Sequence, residues 1–134
     1  MEIETANDIE HDTDLQAASI AAQNDLFRKA LIDPMAALEM QGKGIQGQVL
    51  ITPGVSSEGA AFQAAALAAV ATDTRFTEDN DPWGDHTFGT VLVGDQKLFW
   101  KVDLYDLDFE YGSERPFDPT VTQRALTIMC PREY

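Results

Sequence analysis

Basic charge is scarce in this sequence, and sulfur chemistry is almost missing. Nine Lys and Arg stand against 23 Asp and Glu, a formal net charge of −14. A surface of that sign repels nucleic acid and anionic membrane and attracts basic partners. Neither nucleic acid nor membrane is therefore expected as a direct partner. The single cysteine, Cys130, excludes an intramolecular disulfide and suits a reducing compartment. It follows an apolar stretch with no base beside it, which reads as a small buried hydrophobe rather than a nucleophile. The opening Met1-Glu2-Ile3-Glu4 has no basic start and no apolar run behind it, so no signal peptide is expected. The longest apolar stretch, residues 60–71, is alanine-rich and too short to span a bilayer. These absences together make a cytoplasmic address the expectation. Phosphate-binding glycine loops, dinucleotide fingerprints and Gly-x-Ser-x-Gly are also missing.

What is present fits one domain of 134 residues with an ordinary apolar fraction. Residues 1–14 hold six acids and no Lys or Arg, and read as a flexible acidic tail ahead of a single α+β domain at 15–134. A first helix is expected from Asp14 to Ile32, with Leu15, Ile20, Phe27 and Leu31 as its apolar stripe and Asp33-Pro34 as its stop. Gln46 to Thr52 reads as a strand ended by Thr52-Pro53-Gly54. An alanine-rich second helix starts at Ser56 or Ser57 and runs to Thr72. Two strands, Thr87–Val93 and Gln96–Tyr105, flank Gly94-Asp95, a tight hairpin turn with glycine first. A last strand covers Gln123–Met129. The order α-β-α-β-β-β predicts a mainly antiparallel four-stranded sheet with two helices packed on one face.

One strand carries a conflict. Leu98, Trp100, Val102 and Leu104 share one parity, whereas Tyr105, Leu107, Phe109 and Tyr111 share the other. A flat strand cannot bury both sets on one face, so a bulge or bend is expected between Leu104 and Asp106. If the chain were extended beyond it, Asp106, Asp108 and Glu110 would line one face about 6–7 Å apart.

Three clusters are candidates for chemistry. Glu78-Asp79-Asn80-Asp81-Pro82-Trp83-Gly84-Asp85-His86 combines acids with an imidazole. An EF-hand starting at Asp79 fails, because Trp83 takes a ligand position and Thr90 replaces the closing Glu. Zinc lacks partners, since His11 and Cys130 are the other soft ligands. No cofactor or metal is expected. Asn80 and Asp81 more simply form side-chain-to-backbone turns, with His86 capping the next strand. Lys101 and Asp103 share the polar parity of their strand and suit an ordinary ion pair. The run from Asp106 to Glu110 suits a charged, aggregation-resistant edge.

The residues Asn24-Asp25-Leu26-Phe27-Arg28, Thr52-Pro53-Gly54-Val55, Asn80-Asp81-Pro82-Trp83-Gly84-Asp85-His86-Thr87-Phe88-Gly89, Phe99 to Asp106, Thr122 to Met129 and Glu133-Tyr134 form a recognisable set. From Ile20 to Tyr134 the chain resembles the bacterial domain-of-unknown-function family 3768. Asp85 and Thr87 depart from that family's pattern, which favours Glu before the histidine and Asp after it. The resemblance implies no activity. It implies a setting, cargo of plasmids and integrative elements in proteobacteria, where inhibitors of host defence are common.

Two functions are expected from this. The first is a non-catalytic acidic protein that occupies the basic surface of a nucleic-acid-binding protein, as an inhibitor of a restriction or CRISPR effector would. Its contacts would be Asp103, Asp106, Asp108, Glu110, Glu114 and Asp118. The second is a small enzyme with His86 as general base, oriented by Asp81 or Asp85, and Lys101 or Arg124 holding an anionic substrate.

Overall fold

The computed structural model describes residues 6–134, with side chains from residue 12 onward. Helix α1 (Ala6–Lys29) starts well before the expected Asp14, inside the stretch read as an acidic tail, whose first five residues lie outside the described ones. Asp33 caps helix α2 (Pro34–Gly42) by accepting the Met35 N–H at 2.9 Å, with Pro34 in the first helical turn. Strand β1 (Gln46–Ile51) follows. A short helix, α3 (Pro53–Ser56), occupies the segment expected to be a turn, and the alanine-rich helix α4 (Ala60–Ala71) begins after a break, later than the expected Ser56 or Ser57. The break falls at Gly59, whose φ of 98° lies where a side chain is strained.

Strands β2 (Phe88–Val93) and β3 (Gln96–Tyr105) form the expected hairpin, with Val93 opposite Gln96 and φ of 61° at Gly94. Strand β4 (Gln123–Met129) lies antiparallel to β3. The sheet order is β1-β4-β3-β2. It is mixed, because β1 runs parallel to β4; this corrects the mainly antiparallel expectation. A Cβ at Gly47 would overlap the Arg124 carbonyl, so the absent side chain permits this close parallel approach.

Leu98, Trp100, Val102, Leu126 and Ile128 point to one face of the sheet, where Phe27 of α1 and Ala66 and Val70 of α4 join them in the buried core. The opposite face carries no helix from that core. There Phe88, Phe99 and Tyr134 form a tilted ring cluster with centroids 5.2–5.9 Å apart.

The parity conflict is resolved at the end of β3. After Tyr105 the chain turns back on itself: Asp106 N–H donates to the Tyr111 carbonyl at 2.8 Å, and Tyr105 bridges Gly112. Phe109 takes φ of 57° within this turn. The row of carboxylates on an extended strand therefore does not form. Asp106 Oδ1 instead accepts the N–H groups of Asp108 (3.2 Å) and Glu110 (3.0 Å) and closes the turn.

Candidate functional site

Helix α1 brings a polar row to an otherwise apolar face. Asn24 and Arg28 follow Ile20 at intervals of four, so all three turn inward, and Asn24 and Arg28 are buried. A buried guanidinium needs several partners. Arg28 Nη2 holds Asp25 Oδ1 at 2.7 Å, and Nη1 donates to the carbonyls of Val70 (2.7 Å) and Asp73 (2.8 Å). Its guanidinium carbon sits 4.4 Å from the centroid of the Trp100 ring and 5.3 Å from that of Phe76. These rings compensate for an Nε that has no hydrogen-bond partner among the described residues. The Trp100 indole in turn donates to Asp73 Oδ2 at 2.9 Å.

The loop from Thr77 to His86 folds over this row. Asn80 accepts from Thr77 N–H at 2.7 Å and donates to the Arg75 carbonyl at 2.8 Å, as its turn-forming character predicts. Asp81 Oδ1 accepts the His86 N–H at 3.2 Å. The His86 ring does not cap the following strand. It lies flat on Phe76, centroids 3.7 Å apart, with Nδ1 at 2.8 and 3.0 Å from the two oxygens of Asp25 and Nε2 at 3.5 Å from Asp81. His86 holds φ of 54°, a conformation that costs a residue with a Cβ and persists where surroundings enforce it. Asn24 is one such constraint, donating to the carbonyls of Asp85 (3.0 Å) and His86 (3.2 Å).

Arg124 completes the network from β4. Its Nε donates to Asn24 Oδ1 at 2.8 Å and its Nη2 to Gln23 Oε1 at 2.6 Å. Burial pushes its guanidinium down to about 10, which leaves it charged at neutral pH.

Of the residues expected for acid–base chemistry, His86 and Asp81 meet. The Asp85 carboxylate turns to the Thr87 hydroxyl at 3.0 Å. Lys101 is on the helix-free face, paired with Asp103 at 3.1 Å, and Arg124 is fully buried. Neither stands as a free cation beside the imidazole. The partner of His86 is Asp25, which along with Asn24, Arg28 and Asp73 had not been singled out for chemistry. A cleft of about 440 Å³ borders Asp25, Arg28, Lys29, Asp73 and Thr74, but His86 does not line it. No group of three or more His, Cys, Asp or Glu side chains among the described residues is placed to hold a metal ion.

The six acids expected to contact a partner divide by geometry. Asp108, Glu110 and Glu114 are exposed. Asp106 is committed to its turn. Asp118 accepts from the Thr120 hydroxyl at 2.6 Å and N–H at 2.9 Å, contacts that hold its carboxyl below the usual range. Asp103 pairs with Lys101.

The family described as "Protein of unknown function (DUF3768)" matches residues 51–133. The chain belongs to this family. The match takes in β2, β3, β4, the His86 loop and Trp100, whereas Asn24, Asp25 and Arg28 precede it. No curated protein and no solved structure matches the chain. No helix among the described residues is long and apolar enough to cross a membrane.

Proposed function

We propose that this DUF3768 protein is a non-catalytic acidic interaction protein that occupies the basic, nucleic-acid-binding surface of another protein. In the setting that its family implies, that partner is a restriction or CRISPR effector of the host, and the site of action is the cytoplasm. The observation that carries the reading is where the cations are. The net charge is −14 before burial is considered, and two of the nine bases, Arg28 and Arg124, are inside. Lys43, Arg75, Lys101 and Arg115 lie within 4 Å of Glu39, Asp73, Asp103 and Asp118. Among the described residues Asp73 is the one acid buried beside these two arginines, so burial leaves the surface slightly more acidic than the composition, while the ion pairs leave few cations free on it. Asp108, Glu110 and Glu114 lead it on one loop, and carboxylates so placed substitute for phosphates in a basic groove.

A pulldown from host lysate at low and high salt tests this, using the wild type beside Asp108→Asn/Glu110→Gln/Glu114→Gln. Capture of a basic nucleic-acid-binding protein by the wild type, lost in the variant and at high salt, is the expected result. Capture of none, or capture indifferent to both, would overturn it.

A second reading, a small enzyme using His86, is favoured by the short Asp25–His86 contact and the unusual His86 backbone. It is weaker, because Asp81 stands at Nε2, where a substrate proton would have to be. Full biological activity in His86→Ala would remove it.

A further inference from the structure

We infer that strand β1 is a docking edge for a second copy of this chain, the two β1 strands pairing antiparallel across a two-fold axis. Among the described residues, β1 pairs with β4 on one side and with no strand on the other. An open edge presents unpaired N–H and C=O groups, and proteins guard such edges with charge, proline, bulges or a covering element. The opposite edge is guarded in this way. α4 packs along β2, and Arg75 Nη2 donates to the Thr90 carbonyl at 2.8 Å. β1 has none of these devices. From Gly44 to Ser57 the chain carries no charged residue, and the one proline in that stretch, Pro53, lies beyond the strand. Val49 and Leu50, on opposite faces of the strand, are 40% and 47% exposed.

Charge selects the occupant. Two chains of −14 each repel wherever their acids meet, so self-association needs a surface that carries none. A strongly basic partner gains nothing from this edge and belongs at the acidic loop. Geometry selects the direction. β1 starts beside Gln123, at the end of the sheet where the loop from Asp106 to Asp118 emerges. Antiparallel pairing puts the two acidic loops at opposite ends of a joined sheet, whereas parallel pairing puts them side by side. An antiparallel edge is also self-complementary, each outward N–H meeting an outward C=O of the copy. The strand has six residues, so the dimer is concentration-dependent rather than obligate.

The test is the mass of the full chain by light scattering after size exclusion, over roughly 10–500 μM. It is run beside Gln48→Glu/Leu50→Glu, two exposed positions on the helix-free face, with circular dichroism as the folding check. Hydrogen exchange of the wild type provides a readout that needs no variant. The expected results are a mass rising towards that of a dimer with concentration, a folded monomeric variant, and backbone amides of Gln46–Ile51 whose exchange slows as concentration rises. A wild type that stays monomeric throughout overturns the inference. So does a dimer in which those amides exchange equally fast at every concentration, even if the variant fails to fold. Both outcomes are independent of any capture of a nucleic-acid-binding protein.

Discussion

His86 Nδ1 lies 2.8 Å from Asp25 Oδ1, although 61 residues separate them in the chain. Asp25 also receives Arg28, so one carboxylate joins the loop before β2 to the C-terminal part of α1 and, through Arg28, to Trp100 in the core. Removing Arg28 takes its donors from the carbonyls of Val70 and Asp73 in the interior and from the part-exposed Asp25. Arg28→Ala is expected to cost roughly 3–5 kcal/mol. Asp25→Asn and His86→Ala, at the wetter end, are expected to cost about 1–3 kcal/mol each. If the three act as a unit, the double variant Asp25→Asn/His86→Ala loses less than the sum of the singles. Denaturant titration of the four proteins checks this, and strict additivity would sink the proposed coupling.

Gly89 faces the Trp100 indole across the β2–β3 pair. A Cβ there would overlap both the indole nitrogen and the Asp73 carboxylate that accepts its proton. Gly89→Ala should therefore push these groups apart and destabilise by about 1–3 kcal/mol. The same change at Gly42, where a Cβ meets nothing within 4 Å, should be neutral or stabilising. Thermal unfolding of both variants separates a packing requirement from a general effect of glycine.

The acids of the 106–118 loop should fall into two groups. Asp106→Ala removes the acceptor for two backbone N–H groups and should cost about 1 kcal/mol. Asp108→Asn and Glu110→Gln should change stability by no more than about 0.5 kcal/mol while weakening salt-sensitive association. A loss of stability from Asp108→Asn comparable to that of Asp106→Ala would show that the exposed acids are structural too.

Much of the fold was legible because local chemistry determined it. Gly94-Asp95 set the register of β2 against β3, and the parity switch located the turn after Tyr105. The direction of β1 was not legible. β1 and β4 lie far apart in sequence, and no turn links them; Gly47 beneath Arg124 is the clue, visible only once the strands are paired. At the site, the loop residues Asp81 and His86 stood out as polar in a polar segment. Asn24, Asp25 and Arg28 did not, because a helix with an apolar stripe was explained without them. The available signal was that Asn24 and Arg28 lie in phase with Ile20, where side chains point inward and polar groups require partners.

The C-terminal end of the chain gives a pH-dependent prediction. Glu133 reaches back to accept the Thr52 hydroxyl at 2.7 Å, the Cys130 N–H at 2.9 Å and the Gly54 N–H at 2.9 Å. These bonds, that of Thr52 first, lower its carboxyl from 4.5 to about 2. The ionised form is thus favoured in the folded chain over the unfolded one. The resulting stabilisation is complete above the unfolded value of 4.5 and is lost as pH falls towards about 2. Glu133→Gln removes the ionisable group, so it should melt at a lower temperature than the wild type at pH 6. The gap should narrow steadily below about pH 4.5 as the wild type gives up its advantage. Other carboxylates titrate in the same range, but they are common to both proteins and drop out of the difference. Melting midpoints of the pair at pH 6, 4 and 3 provide the check. A gap that stays constant across that range would mean that Glu133 contributes by shape alone, with its charge irrelevant to holding the end of the chain against the β1–α3 turn.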